Sequence, residues 1–215
     1  MKSCAILSPE RIRLEPNLPR KSPTTPKSNQ IRIVGGQWRG RKLQFPSIDG
    51  LRPTGDRIRE TLFNWLGQNL AGMRVLDLFA GSGALGIEAL SRRAAFAQFV
   101  DSDPQAVQHL ERSLQTLAAE NFDVSQQPAE KFLQSMTPHS VDLLFLDPPF
   151  ANNQLGTIGK QIDESRILAD KALVYIEFPR TEQMSLPDSW RILKSKGAGE
   201  VCYQLLQADC GSTSF

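Results

Sequence analysis

The segment Arg74-Val75-Leu76-Asp77-Leu78-Phe79-Ala80-Gly81-Ser82-Gly83-Ala84-Leu85-Gly86 constrains the fold more than any other stretch of the chain. It reads as an apolar strand, a glycine-rich turn and the first residues of a helix. Gly81, Gly83 and Gly86 match the dinucleotide fingerprint G-x-G-x-x-G letter for letter. A strand that passes directly into a helix through such a turn belongs to a parallel sheet with helices on its faces. The rest of the chain supports this by alternation. Helices are expected near residues 85–92 and 104–119, a strand at 122–126, and a short helical stretch at 131–134. A buried strand follows from Val141 to Leu146, then mostly helix over 155–169, a strand at 172–178 and a final hairpin over 190–207.

The fingerprint does not point to a dinucleotide. Asp77 stands four residues before Gly81, where the strand enters the loop. A carboxylate fixed there repels a pyrophosphate and attracts an ammonium group. S-adenosylmethionine carries an ammonium and a sulfonium and no phosphate, so it fits where a dinucleotide does not. The glycines serve either ligand, because they let backbone approach it closely. Asp77, Phe79, Ala80, Gly81, Ser82 and Gly83 are the candidate cofactor residues of this loop. The next apolar run, Ala97-Gln98-Phe99-Val100, ends in Asp101-Ser102-Asp103. An acidic residue about 20 positions after the loop suits ribose hydroxyls, which favours Asp101, with Ser102 beside it. Asp103 precedes Pro104 and a helical pattern and reads as an N-cap with proline at N1.

Asp147-Pro148-Pro149-Phe150 closes the strand at Leu146. Two prolines cannot continue a ladder, so the chain leaves the sheet there. The loop then sits at a strand's C-terminal end, where open α/β sheets bind ligands. It offers a carboxylate, free carbonyls and an aromatic face. That set suits an exocyclic amine on a planar base: Asp147 and a proline carbonyl accept the N–H bonds, and Phe150 stacks on the ring. A strand-ending turn with a core phenylalanine is the plainer alternative.

Ahead of these motifs lies a basic end. Residues 1–60 hold thirteen Lys or Arg against five Asp or Glu, a balance of +8, while residues 61–215 balance to −6. A basic end on an acidic body fits a polyanionic partner met by one face. Five prolines between Pro9 and Pro26 interrupt any helix, so residues 1–30 read as a disordered basic arm. Strands at Ile31-Arg32-Ile33-Val34 and at Arg41-Lys42-Leu43-Gln44-Phe45 form a small hairpin around Gly35, Gly36 and Gly40. Its Arg39, Arg41 and Lys42 can neutralise phosphates. Its Trp38 either stacks on an unpaired base or packs on the body. A helix over residues 55–66, with Thr54 as N-cap, has an apolar face of Ile58, Leu62, Phe63, Trp65 and Leu66. Arg52, Arg57 and Arg59 either meet the polyanionic partner or pair with Asp56 and Glu60.

No apolar run approaches the length of a membrane span. Cys4, Cys202 and Cys210 are scattered, form no metal-ligand cluster and suggest a reducing cytoplasm. No metal is expected. His109 and His139 are isolated and receive no catalytic role.

Taken in order, "IRIVGGQWRGRKLQFP", "LRPTGDRIRETLFNWL", "DLFAGSGALGIEALSR", "FVDSD" and "DPPF" resemble the RsmD family. These are bacterial class I S-adenosylmethionine-dependent methyltransferases acting on the exocyclic N2 of a guanine in 16S ribosomal RNA. The resemblance runs from about Ile31 to about Gln207. It implies a Rossmann-like sheet with helices on both faces, a C-terminal antiparallel hairpin and a small N-terminal hairpin extension. It also implies S-adenosylmethionine as cofactor and 16S RNA or the small-subunit particle as partner; a monomer is expected. The expected division is an arm over 1–30, outside the resemblance, then an RNA-binding unit over 31–70 and a methyltransferase domain over 71–215. Asp147, Pro148, Pro149 and Phe150 become the catalytic set, and the arginine-rich stretch faces RNA. One departure stands out. The family tends to place a polar residue after the third strand of the sheet, and here Pro128 occupies that position, leaving the main chain near Ala129, or Glu130, to hold adenine. A DNA adenine methyltransferase and a non-catalytic ribosome assembly factor remain the rival readings.

Overall fold

The computed structural model describes residues 29–45, 54–148, 154–182 and 184–209. The hairpin comes first, β1 (Asn29–Arg32) paired antiparallel with β2 (Lys42–Phe45), followed by α1 (Asp56–Leu66). Then come β3 (Arg74–Asp77), α2 (Ala84–Ser91), β4 (Phe96–Asp101), α3 (Pro104–Thr116), β5 (Phe122–Gln126) and α4 (Ala129–Leu133). The chain continues with β6 (Val141–Leu146), α5 (Gln154–Ser165), β7 (Leu168–Pro179), β8 (Trp190–Ala198) and β9 (Val201–Ala208).

Seven strands form one sheet in the order β5-β4-β3-β6-β7-β9-β8. The first five are parallel, and β9 runs antiparallel between β7 and β8. The order reverses between β3 and β6, which makes the C-terminal ends of those two strands the switch point and the expected ligand crevice. The strands there are near-continuous apolar runs because both faces of the sheet are covered. Leu143, Leu144, Phe145 and Leu146 are all fully buried.

The N-terminal hairpin and α1 pack into the same apolar cluster as the sheet. Ile33, Trp38, Leu43, Leu62 and Phe63 join Val75, Phe99, Phe145, Tyr175 and Tyr203. Phe63 meets Phe145 edge-on at 6.2 Å, and Trp65 stacks on Tyr203 at 5.4 Å. Trp38 therefore packs on the body: it is 9% exposed, and its backbone N–H donates to Ser91 Oγ at 3.0 Å. Glu88 of α2, fully buried, pins this junction. It accepts from the Val34 N–H at 2.8 Å and from Arg92 Nε at 3.0 Å, and it lies 3.5 Å from the Arg59 guanidinium.

Three sequence expectations need correction. Arg59 cannot meet a phosphate, because it is 1% exposed and its guanidinium is spent inside. It donates to the carbonyls of Thr54 (3.2 Å) and Arg32 (2.7 Å) and to Asp56 (2.6 Å). Thr54 does not cap α1; Gly55 holds the N-cap position, without a side-chain bond. The helix expected over 155–169 ends at Ser165, where Arg166 turns left-handed (φ 54°) and the longer β7 begins. Asp103 does cap α3, accepting from the Gln105 and Ala106 N–H groups with Pro104 at the first turn. Among the described residues, no helix is long and apolar enough to cross a membrane.

Candidate active site

Two carboxylates face each other across the switch point. Asp77 ends β3 and Asp147 follows β6, and β3 and β6 are hydrogen-bonded neighbours with Asp77 opposite Phe145. Burial, then the Glu177 charge and to a lesser degree the Asp77 charge lift the Asp147 carboxyl well above the ordinary carboxylate range.

The glycine turn is built around Asp77. Asp77 Oδ2 accepts the N–H of Gly86 at 2.9 Å, in the first turn of α2. Gly83 adopts φ 74°, and a Cβ there would lie 2.3 Å from Leu110 Cδ1. A Cβ on Gly86 would lie 2.2 Å from the Phe99 ring, so both glycines are dictated by the close approach of α2 and α3 to the sheet. Asp77 is 3% exposed, and burial pushes its carboxyl up to about 7 despite the Gly86 hydrogen bond, with the Asp101 charge adding to the rise. Among the described residues no cationic side chain bonds Asp77, so its buried carboxylate can take a ligand ammonium.

Asp101 closes the other wall. Its Oδ2 accepts the Gly81 N–H at 2.7 Å and its Oδ1 accepts the Asp103 N–H at 2.8 Å. Both oxygens retain a second lone pair for ribose hydroxyls. Phe79 and Ser82 are half-buried, Ala80 and Gly81 buried, and Ser102 exposed, so the loop offers backbone and small side chains. Pro128 stands at the N-cap of α4 and leaves its carbonyl to the N–H groups of Lys131 and Phe132, both at 3.1 Å. Ala129 is the first residue of α4, with its main chain at that helix's start. Asp77 and Asp101 together make the loop hostile to phosphate and hospitable to a cationic nucleoside.

The third part of the site is Asp147 and its neighbours. Asp147 is half-buried and Pro148 buried. Pro149 and Phe150 of the same motif lie outside the described residues, as do Arg52 and residues 1–28 of the arm expected over 1–30, whose last two residues, Asn29 and Gln30, instead begin β1. The hydroxyl of Thr54 donates to Asp147 Oδ2 at 3.2 Å. Glu177 stands on β7, whose Ile176 pairs with Leu146, so the two acids follow paired positions on adjacent strands. Tyr175 donates its hydroxyl to Glu177 Oε1 at 2.7 Å. Burial and the Glu177 charge hold the Asp147 carboxyl well above its usual range, and burial also raises Glu177. Thr54, Tyr175 and Glu177 were not marked by motif. The sequence signal for Glu177 is an acid inside an apolar strand, Val174-Tyr175-Ile176-Glu177-Phe178.

On the basic side, Arg39, Arg41, Lys42 and Arg57 are exposed. Arg41 also donates to the Thr116 carbonyl at 2.8 Å, tying the hairpin to the end of α3.

A seven-stranded sheet with one reversed strand, a phosphate-hostile glycine loop and an acid-proline loop at the switch point define the class I methyltransferase fold. Comparison with known proteins agrees. The family described as Conserved hypothetical protein 95 matches residues 31–207, and the chain belongs to that family, the RsmD family. It is 45% identical over 196 residues to Ribosomal RNA small subunit methyltransferase D of Escherichia coli (strain K12), covering 90% of this chain and 98% of that protein. The protein of the same name from Haemophilus influenzae is 41% identical over 192 residues, covering 87% and 99%. A solved structure of a putative methyltransferase, yhhF, from Escherichia coli superposes with a TM-score of 0.77 at 44% identity, covering 85% of this chain and all of that one.

Proposed function

We propose that this chain transfers the methyl group of S-adenosylmethionine to the exocyclic N2 of a guanine in 16S ribosomal RNA. The observation that carries the reading is the placement of Asp147 and Pro148 beside Asp77 at the switch point, in a chain whose relatives bear the name of a small-subunit rRNA methyltransferase. Asp77 holds the ammonium, Asp101 the ribose, residues 79–83 the methionine and ribose through backbone, and the main chain at Ala129 the adenine. The cofactor supplies a methyl already activated by a positive sulfur. The protein therefore has mainly to orient the acceptor.

A guanine amine is a weak nucleophile because its lone pair is delocalised into the ring. Asp147 and the Pro148 carbonyl accept its hydrogens and turn the lone pair toward the methyl. The N1–H and N2–H₂ edge of guanine is all donors, which suits an acceptor carboxylate. Phe150 stacks on a base that has left its neighbours. Arg39, Arg41, Lys42 and Arg57, with Arg52, meet the phosphates. The enzyme acts where ribosomes are assembled, in the cytoplasm.

The test is methyl incorporation from labelled S-adenosylmethionine into undermodified rRNA, naked or in particles, and into DNA. Incorporation into small-subunit RNA is expected. Label in DNA adenine, or none in either nucleic acid, contradicts the reading.

A further inference from the structure

Most of the cations assigned so far to RNA lie far from Asp147. Arg41 donates to the carbonyl of Thr116, the last residue of α3, whereas α3 starts at Pro104, just past the cofactor-side Asp101. The basic turn of the N-terminal hairpin therefore sits one helix length from Asp101, about 20 Å at 1.5 Å per residue. Arg57 is the exception: exposed in the first turn of α1, it follows by three residues the Thr54 that bonds Asp147. A second basic element, β8, reaches the level of Asp147 and has no part in the functional reading so far.

The rows of the sheet fix where β8 stands. Leu146 pairs with Ile176, Ile176 with Gln204 and Gln204 with Ser195. The next row toward the ligand crevice is Asp147, Glu177, Tyr203 and Lys196. Directly paired residues project on the same face of a sheet. Tyr203 stacks on Trp65 and shares a cluster with Phe63, so this is the face that α1 covers. Lys196 thus shares a level with Asp147, three strands away, roughly 14 Å at about 4.8 Å per strand. Two more cations line up with it, Arg191 opposite Gln207 and Lys194 opposite Leu205. In a regular strand, residues 191 and 194 project to opposite faces. Here the register shifts between Ile192 and Lys194, leaving Leu193 opposite no residue, and this bulge turns Lys194 and Lys196 onto the face that already holds Arg191. All three cations are exposed, and β8 contains no acid. Among the described residues neither lysine has an ion pair, and Arg191 bonds the neutral Gln207 side chain at 2.8 Å.

We propose that Arg191, Lys194 and Lys196 of β8 form a second RNA-binding surface, which holds phosphates of the strand flanking the methylated base. The inference rests on the proposed methyl transfer to RNA. The occupant follows from charge and place. A column of exposed cations attracts a polyanion, and the polyanion on which this site works passes the rim at Asp147. A lysine acts on phosphate as a flexible point charge, which suits a single strand of no fixed geometry. The N-terminal hairpin then holds the RNA at a distance, and β8 holds it beside the reacting base. Cations on an edge strand also discourage pairing with another sheet. That role does not require all three on one face, whereas a phosphate track does.

The full chain carrying Arg191→Gln, Lys194→Gln and Lys196→Gln together tests this, with undermodified 16S RNA, naked and in small-subunit particles, as the probe. The plot of log affinity against log salt should flatten by about two units, at roughly 0.7 per contact on single-stranded RNA. KM for RNA should rise, and S-adenosylmethionine affinity, read by calorimetry, should not change. Should the triple variant not fold, Lys196→Gln alone should flatten the plot by about 0.7. An unchanged slope in folded protein overturns the proposal. Self-association of the variant in sedimentation, with the slope unchanged, overturns it too and assigns the cations to guarding the edge. A wild type that binds neither form of the RNA also overturns it. Methyl transfer to small-subunit RNA with an unchanged slope rejects the surface and leaves the functional reading standing. A flattened slope in a chain that transfers no methyl to RNA leaves the surface standing and rejects the functional reading instead.

Discussion

Asp77 shows how one buried side chain links fold, pH and ligand. Burial lifts its carboxyl to about 7 in the unliganded protein. The unfolded chain loses that proton in the ordinary carboxylate range, so the folded state binds more protons between about pH 4 and 7. The stability contribution is therefore full at low pH and is lost as pH rises toward 7. Asp77→Asn should flatten that part of the stability curve in thermal melts. A cationic ligand favours the anion, so cofactor binding should expel a proton below pH 7. Affinity should be full above about 7 and fall roughly tenfold per pH unit below it. Calorimetry in buffers of different ionisation enthalpy checks this; pH-independent affinity contradicts the ammonium role. Asp101→Ala should weaken cofactor binding by about 1–2 kcal/mol. Asp147→Ala should leave it intact while cutting turnover about a hundredfold. The anchoring acids were legible because each ends an apolar run. Thr54 was not: read locally, a Thr before a helical pattern is an N-cap, and its true partner lies 93 positions away. Of the two roles offered to Arg59, pairing with Asp56 holds and contact with RNA does not, since a helical arginine shows its charge in sequence but not the fully buried Glu88 that faces it.

The elements themselves were mostly legible. The apolar runs of β3, β4 and β6 and the helical face of α1 carry their period plainly, and Asp103-Pro104 marks the start of α3 to the residue. The signal failed at β7. Leu168 pairs with Val141, the register then shifts so that Leu143 pairs with Leu173, and Lys171 sits at φ 60°. A strand interrupted by such a bulge loses its alternation and joins the helical pattern ahead of it. The turn between β3 and α2 gives an element-scale prediction. Gly86→Ala would drive a Cβ into the Phe99 ring and should cost about 1–3 kcal/mol in denaturant unfolding. A change below about 0.5 kcal/mol shows that the helix moves away from the sheet without penalty. Glu88 makes a second. Glu88→Gln leaves Arg59 and Arg92 buried without their carboxylate and should destabilise by about 3 kcal/mol or more.

At the scale of the whole molecule, the charge asymmetry takes on a shape. The hairpin shares the core of the sheet, so its basic residues are held at a fixed place on the body rather than on a separate bead. Replacing Arg39, Arg41 and Lys42 should flatten the plot of log RNA affinity against log salt by about two units, at roughly 0.7 per contact on single-stranded RNA. An unchanged slope assigns these residues to solvation alone, and a slope flattened only by truncation after Gln30 assigns RNA binding to the arm. The decisive measurement is chemical. Small-subunit RNA from cells lacking this protein, digested to nucleosides and compared with that from cells restored with the wild type or with Asp147→Ala, should lack one N2-methylguanosine that the wild type alone restores. An unaltered N2-methylguanosine content of 16S RNA in the deleted cells contradicts the proposed function.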